Sequence, residues 1–168
     1  RGCKNPKAVT ILVHGGSEHV IDEIKRAVKD GLGGVACVVE SGLIVPGGGA
    51  VEIELAKRLR EFSQLLSGRE QLAVEEFASA LEFIPSTLAE NAGIDPIDII
   101  TELKSRHDSG ERNAGINLFT NKIENAFEAR IIEPLKIKTQ AISSASEVAI
   151  MILRIDDIIL AKDKNLAG

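Results

Sequence analysis

Val45-Pro46-Gly47-Gly48-Gly49-Ala50-Val51-Glu52 is the stretch on which this chain turns. A proline and three glycines open directly onto a helical run. With no Cβ in the way, a glycine run lets backbone come close to a ligand. At a helix start its N–H groups face whatever sits there, and the helix dipole favours an anion or a polar oxygen. A plain tight connection would use the same residues, so the stretch alone leaves both readings open.

Working outward, Val51, Leu55, Phe62 and Leu66 step along one helix face until Ser67-Gly68 breaks it. Residues 69–92 give a second long helical pattern through Leu72, Phe77, Leu81, Ile84 and Leu88. Pro85 inside it removes one backbone bond and is expected to kink it. Asn91-Ala92-Gly93 ends it, with glycine just past the last turn. Asp95 caps the next helix, Pro96 takes its first position and Asp98 charges its first turn. That helix is expected to run to about Arg106, with a polar loop over 107–115. Ile116-Asn117-Leu118-Phe119 reads as a short strand turned by Thr120-Asn121-Lys122, and residues 123–132 show no firm pattern. Glu133-Pro134 opens a last long helix. Its Leu135, Ile137, Ala141, Ile142, Ala145, Val148, Ala149 and Ile152 are spaced for burial on a broad face. Arg154-Ile155-Asp156-Asp157 interrupts it. Ile158-Ile159-Leu160-Ala161 is then a short apolar strand with no obvious partner in the chain, a kind that recruits one from elsewhere.

Upstream, Ala8-Val9-Thr10-Ile11-Leu12-Val13 is β-branched, stops at Gly15-Gly16 and reads as a buried strand. Ser17 caps a helix with Val20, Ile21, Ile24, Ala27 and Val28 on one face. Gly31, Gly33 and Gly34 weaken that helix near Asp30, as a hinge or as a frayed end.

The 168 residues are 44% hydrophobic and 27% charged, a globular composition. Aromatics are only 3%, so the core must be aliphatic. A net charge of −5 with no Trp or Tyr argues against nucleic-acid binding. Cys3 and Cys37 lack paired spacing, and His14, His19 and His107 are scattered, so no metal set is expected. Two isolated thiols fit a reducing interior. No apolar run is long enough to span a bilayer, and no signal peptide is visible. The first residues lack an initiator Met and read as the inside of a longer protein.

These stretches together resemble the C-terminal third of a group II chaperonin subunit, the archaeal thermosome and its eukaryotic cytosolic relatives. The resemblance rests on Ala8-Val9-Thr10-Ile11-Leu12-Val13-His14-Gly15-Gly16-Ser17-Glu18-His19 and on Val45 to Glu52. It continues through Leu88-Ala89-Glu90-Asn91-Ala92-Gly93-Ile94-Asp95-Pro96 and Glu133-Pro134-Leu135-Lys136-Ile137-Lys138-Thr139-Gln140-Ala141, and closes on Ile152-Leu153-Arg154-Ile155-Asp156-Asp157. It spans essentially the whole chain in order. It implies a mainly α fold with few short strands. Residues 1–13 would end an apical domain with a strand, and 14–43 would form the returning arm of an intermediate domain. Residues 44–168 would be the C-terminal half of a helical equatorial ATP-binding domain. It also implies a cytoplasmic double ring of like or paralogous subunits, driven by ATP with Mg2+ to close around unfolded protein.

The resemblance assigns roles position by position. Asp30, 17 residues before Gly47, matches the hinge aspartate that orients the attacking water. A carboxylate on a moving arm would couple hydrolysis to closure. The family often reads His-Asp-Ala-Leu where this chain has Lys29-Asp30-Gly31-Leu32, and the glycines soften the arm. Without the resemblance, Asp30 reads as a solvated helix end. Gly47 and Gly48 fall in the turn whose backbone lies against nucleotide, and Glu133 matches the acid that accepts from the ribose hydroxyls. By itself Glu133 is a helix-start acid. Lys138 matches a basic position near the nucleotide, or is a solvated surface lysine. Gly115 and Asn117 match the loop edging the adenine, where Leu118-Phe119 departs from the family. Asp156-Asp157 reads as a strand-flanking pair, and no metal ligand is assigned. The family's Gly-Asp-Gly-Thr-Thr phosphate loop and magnesium-holding aspartate belong to its N-terminal half, so this piece alone is expected to be inactive. The other reading is a non-catalytic helical ring-assembly module, which would not need Asp30, Gly48 and Glu133 together.

Overall fold

The computed structural model describes residues 9–156. Among them are five helices and four short strands: α1 (Glu18–Ser41), β1 (Ile44–Pro46), α2 (Ala50–Ser63), α3 (Gly68–Asn91), α4 (Pro96–Asp108), β2 (Ala114–Asn117), β3 (Lys122–Asn125), β4 (Ile132–Pro134) and α5 (Leu135–Leu153). The chain divides into two units between Gly42 and Leu43.

The first unit is dominated by α1. Ser17 caps it as expected, its side chain accepting from the Val20 N–H at 3.4 Å. The helix continues unbroken through Gly31, Gly33 and Gly34 and stops at Gly42, whose left-handed φ of 67° closes the last turn. The glycine cluster therefore neither ends nor interrupts it. Residues 9–13 form no strand, contrary to expectation; Val9, Ile11 and Leu12 are exposed. A β-branched run becomes a strand only where a neighbour takes its backbone groups, and no pairing is made there.

In the second unit, α2, α3 and α4 enclose one core. Ile53, Ala89, Ile99 and Leu103 meet Ala114, Ile116 and Ile123 of a β2–β3 hairpin. Ala56, Ala78 and Leu81 form a second cluster at the α2–α3 seam. The buried faces match expectation only in part: Leu81 is buried and Leu55 and Leu88 pack against the cores. On α2 the buried positions are Ala50, Glu52, Ile53, Ala56 and Ser63, while Phe62 is half exposed. On α3 they are Ala78, Leu81, Pro85 and Ala89, with Leu72, Phe77 and Ile84 outside. Alanines line the seam because two helices approach closely only where side chains are small. Pro85 lies within a continuous α3, fully buried against the turn that precedes α2.

Asp95 accepts from the Ile97 N–H at 2.8 Å and α4 starts at Pro96, as expected. It runs two residues past Arg106, which places His107 on the helix rather than in a loop. The strand expected over 116–119 is shifted to 114–117, and Asn121, with φ 53°, turns it into β3. β1 and β4 pair antiparallel, Val45 opposite Glu133. Glu133 therefore sits in a strand one residue before the α5 N-cap, Pro134, not in a helix. The expected broad buried face of α5 is absent: no α5 residue is buried, and Val148, Met151, Ile152 and Leu153 are exposed. The strand expected at 158–161 lies outside the described residues.

Gly33→Ala should raise stability by about 0.5–1 kcal/mol, because α1 is helical there and an added Cβ meets open space. Gly48→Ala should lower it by about 2 kcal/mol or more, because φ is 64° and the Cβ would lie 2.4 Å from the Ile116 carbonyl oxygen. Denaturant titration of the two variants checks both signs.

Candidate functional site

Three stretches far apart in sequence converge on the glycine turn. The Gly47 N–H donates to the Ile131 carbonyl at 2.9 Å, just before β4. The Gly48 carbonyl accepts from the Ile116 N–H at 2.8 Å, in β2. A Cβ on Gly115 would stand 2.5 Å from the Gly47 carbonyl oxygen, and one on Gly49 would stand 2.5 Å from Pro85 Cβ. The chain's own packing thus demands glycine at 48, 49 and 115 before any ligand is considered. Gly47 differs, since its missing Cβ would face the Glu133 carboxylate, 3.0 Å from Oε1. The turn, β2 and Glu133 accordingly share one locality.

Glu133 is joined to Lys138, one turn into α5, whose Nζ lies 2.7 Å from Glu133 Oε2. The same ammonium lies 2.7 Å from Glu52 Oε1 in the first turn of α2. Lys138 is therefore neither a solvated lysine nor a free cation, for it bridges two carboxylates. Glu52 is almost wholly buried, and its Oε2 has no hydrogen-bond partner. The Lys138 ammonium is held above the usual lysine value. Burial pulls it down, but the hydrogen bonds and charges of Glu133 and Glu52 more than offset that. Beside this triad a pocket of about 260 Å3 opens between α3 and α5, walled by Leu81, Ile84, Ala141 and Ile142.

The remaining candidates are placed as follows. Asn117 is buried, and its side chain serves its own hairpin: Oδ1 accepts from the Phe119 N–H at 2.9 Å, and Nδ2 donates to Glu124 Oε2 at 3.4 Å. Phe119, one residue past Leu118, is 97% exposed at the tip. Asp30 lies in the first unit, exposed, midway along α1. Among the described residues no group of three or more His, Cys, Asp or Glu side chains is placed to hold a metal ion. Sequence reasoning missed Glu52 and His107. Glu52 stood inside the quoted motif, but an acid in a first helical turn is ordinarily read as serving the dipole. No local pattern marks His107 as buried.

Comparison with known proteins gives one answer. The model of the TCP-1/cpn60 chaperonin family matches residues 1–163. The chain is 61% identical over 161 residues to thermosome subunit beta of Archaeoglobus fulgidus, covering 96% of this chain and 30% of that protein. It is 54% identical over 162 residues to a thermosome subunit of Methanopyrus kandleri, again covering 30% of the relative. A solved structure, the open-state monomer of a group II chaperonin from Methanococcoides burtonii, superposes with a TM-score of 0.72 at 56% identity. It covers 92% of this chain and 38% of that one. The chain thus spans about a third of the length of these relatives. No described helix is long and apolar enough to cross a membrane.

Lys138→Met should cost about 3 kcal/mol, because it strands the buried Glu52 carboxylate. A lysine raised in the folded state contributes stability that is full below its unfolded value, 10.5, and is lost as pH climbs through the higher folded value. Alkaline unfolding of the parent should therefore begin above that pH, and the variant should lose this part of the pH dependence. Denaturant midpoints taken across pH 8 to 12 measure both.

Proposed function

The chain belongs to the TCP-1/cpn60 chaperonin family, and on that premise we propose that it supplies one wall of the nucleotide pocket in an ATP-driven protein-folding subunit. The observation that carries this reading is the meeting of the Gly47-Gly48 turn with Glu133. A half-buried carboxylate, steadied by Lys138 through Oε2, keeps acceptor capacity on Oε1 close to the glycine-turn backbone. That arrangement suits two vicinal hydroxyls of a ribose. Glu133 is the ribose acceptor, the Gly47 and Gly48 backbone the floor, and Gly115 with the Asn117 turn the edge toward the base. Lys138 serves by holding Glu133 and Glu52, not by gripping phosphate.

Asp30 is the water-aiming carboxylate. In phosphoryl transfer the protein's task is mainly positioning and charge stabilisation, and a carboxylate supplies the first by orienting the nucleophile. Carried on α1, in a unit separate from the glycine turn, it links hydrolysis to movement of that arm. Mg2+, when bound, neutralises phosphate charge. Its holders are assigned, on the family resemblance, to the remainder of a full-length subunit.

The assembly is a cytoplasmic double ring of like or paralogous subunits that encloses unfolded protein. Exposed apolar side chains on α5 suit contacts outside this chain. The same exposure favours the second reading, a non-catalytic ring-assembly module, which has no use for Asp30 or Glu133.

In a complete subunit carrying this chain, Asp30→Ala should bind ATP as tightly as the parent and lose hydrolysis by about 10²-fold or more. Glu133→Ala should weaken ATP binding by about tenfold, the worth of one charge-assisted hydrogen bond. The 168-residue chain by itself should not turn over ATP. Calorimetric binding and single-turnover hydrolysis decide, and parent-like behaviour of both variants would favour the assembly module.

A further inference from the structure

His107 is 1% exposed, in the last turn of α4, and its ring meets two acceptors. Nδ1 lies 3.1 Å from Glu54 Oε2, and Nε2 lies 2.9 Å from the Ala114 carbonyl oxygen. A neutral imidazole has one N–H and a lone pair on its other nitrogen. The carbonyl has no proton to give. Glu54 stays ionised: burial pushes its carboxyl up, but hydrogen bonds from His107 and Arg58 outweigh burial and hold it below the usual carboxylate range. Nε2, facing the carbonyl, therefore carries a proton and donates. The surrounding charges are committed to one another. Arg58 and Arg112 flank the other Glu54 oxygen, Lys57 meets Asp108, and Arg60 and Lys104 share Glu82. Glu61 of α2 is the remaining charged group lining the same clefts.

The Ala114 carbonyl immediately precedes Gly115, the residue whose backbone presses on the Gly47 carbonyl, and Ile116, whose N–H bonds the Gly48 carbonyl. Among the described residues no other α4 side chain reaches β2 by a hydrogen bond, and the ring is itself braced on α2 through Glu54. We propose that His107 is a positioning residue for the glycine turn: it grips the Ala114 carbonyl and so sets Gly115 and Ile116 against Gly47 and Gly48. Its consequence for nucleotide binding rests on the function proposed above, whereas the placement of β2 does not.

The test compares a complete subunit carrying this chain with its His107→Phe form, which fills the site but loses both hydrogen bonds. His107→Gln restores one donor for the Ala114 carbonyl. In His107→Phe, amide hydrogen exchange at Ile116 should quicken about tenfold while exchange at Ala78, in the α2–α3 seam, holds. The KM for ATP should rise about tenfold with kcat within about twofold, the worth of one buried hydrogen bond. His107→Gln should recover most of both changes. Parent-like exchange at Ile116 in His107→Phe overturns the proposal. So does an equal loss at Ile116 and Ala78 in both variants, which would mark a merely structural histidine. Altered Ile116 exchange in a subunit whose parent form does not saturate with ATP leaves the positioning role standing and removes the nucleotide reading instead.

Discussion

Backbone pressed on backbone, with no room for a side chain between, governs the second unit. The Gly48 carbonyl takes the Ile116 N–H, and the Gly115 backbone sits where a Cβ would collide with the Gly47 oxygen. Gly49, at φ 80°, starts α2 over Pro85, and an alanine there would press a Cβ into the proline ring. Each contact fixes a neighbour. The turn aims α2, the buried Pro85 seats α3 beneath it, and β2 draws the hairpin onto the core formed by Ile53, Leu103 and Ile116. Small residues are required because the elements cross so closely, and the alanine seam of Ala56 and Ala78 extends the same economy of volume between α2 and α3.

Around this apolar centre, buried charge is handled in three separate clusters, each of which ties elements distant in sequence. Lys138 joins α5 to α2 and β4 through Glu52 and Glu133. His107 joins α4 to α2 and β2. Glu82 of α3 receives Arg60 of α2 and Lys104 of α4, and these more than offset the rise that burial imposes on its carboxyl. Buried ion pairs of this kind add little net stability, yet removing one partner is costly because the other charge is left without water. Their value lies in register: each admits one relative placement of its elements. The cluster nearest the glycine turn is also the one that leaves Glu133 partly open to solvent, so structural bracing and a receptive oxygen coexist in one carboxylate.

Much of this was legible along the chain. Ser17, Asp95-Pro96 and Gly93 mark helix ends by local chemistry, since a cap is satisfied within four residues. Family resemblance, carried by long contiguous motifs, identified the chaperonin lineage. The helix faces were read correctly at Leu81 and misjudged at several other large residues. Phe62, Leu72 and Ile84 lie outward, while Ala50, Ala56, Ala78 and Ala89 are buried, because periodicity reports a stripe but not which side of it a neighbour will approach. The strand expected before Gly15 is missing for a related reason, since pairing is not a property of one segment.

Spacing by itself determined the long helical patterns, the helix starts and the glycine turn, all of which depend on interactions a few residues in range, while the mainly α class came from the family resemblance. Tertiary structure alone decided that Glu133 stands in a strand opposite Val45, that Lys138 is spent on two carboxylates, and that His107 is buried with both nitrogens engaged. The partners in these contacts come from remote parts of the chain. Whether a charged side chain is solvated or enclosed is fixed only when those parts close around it and exclude water.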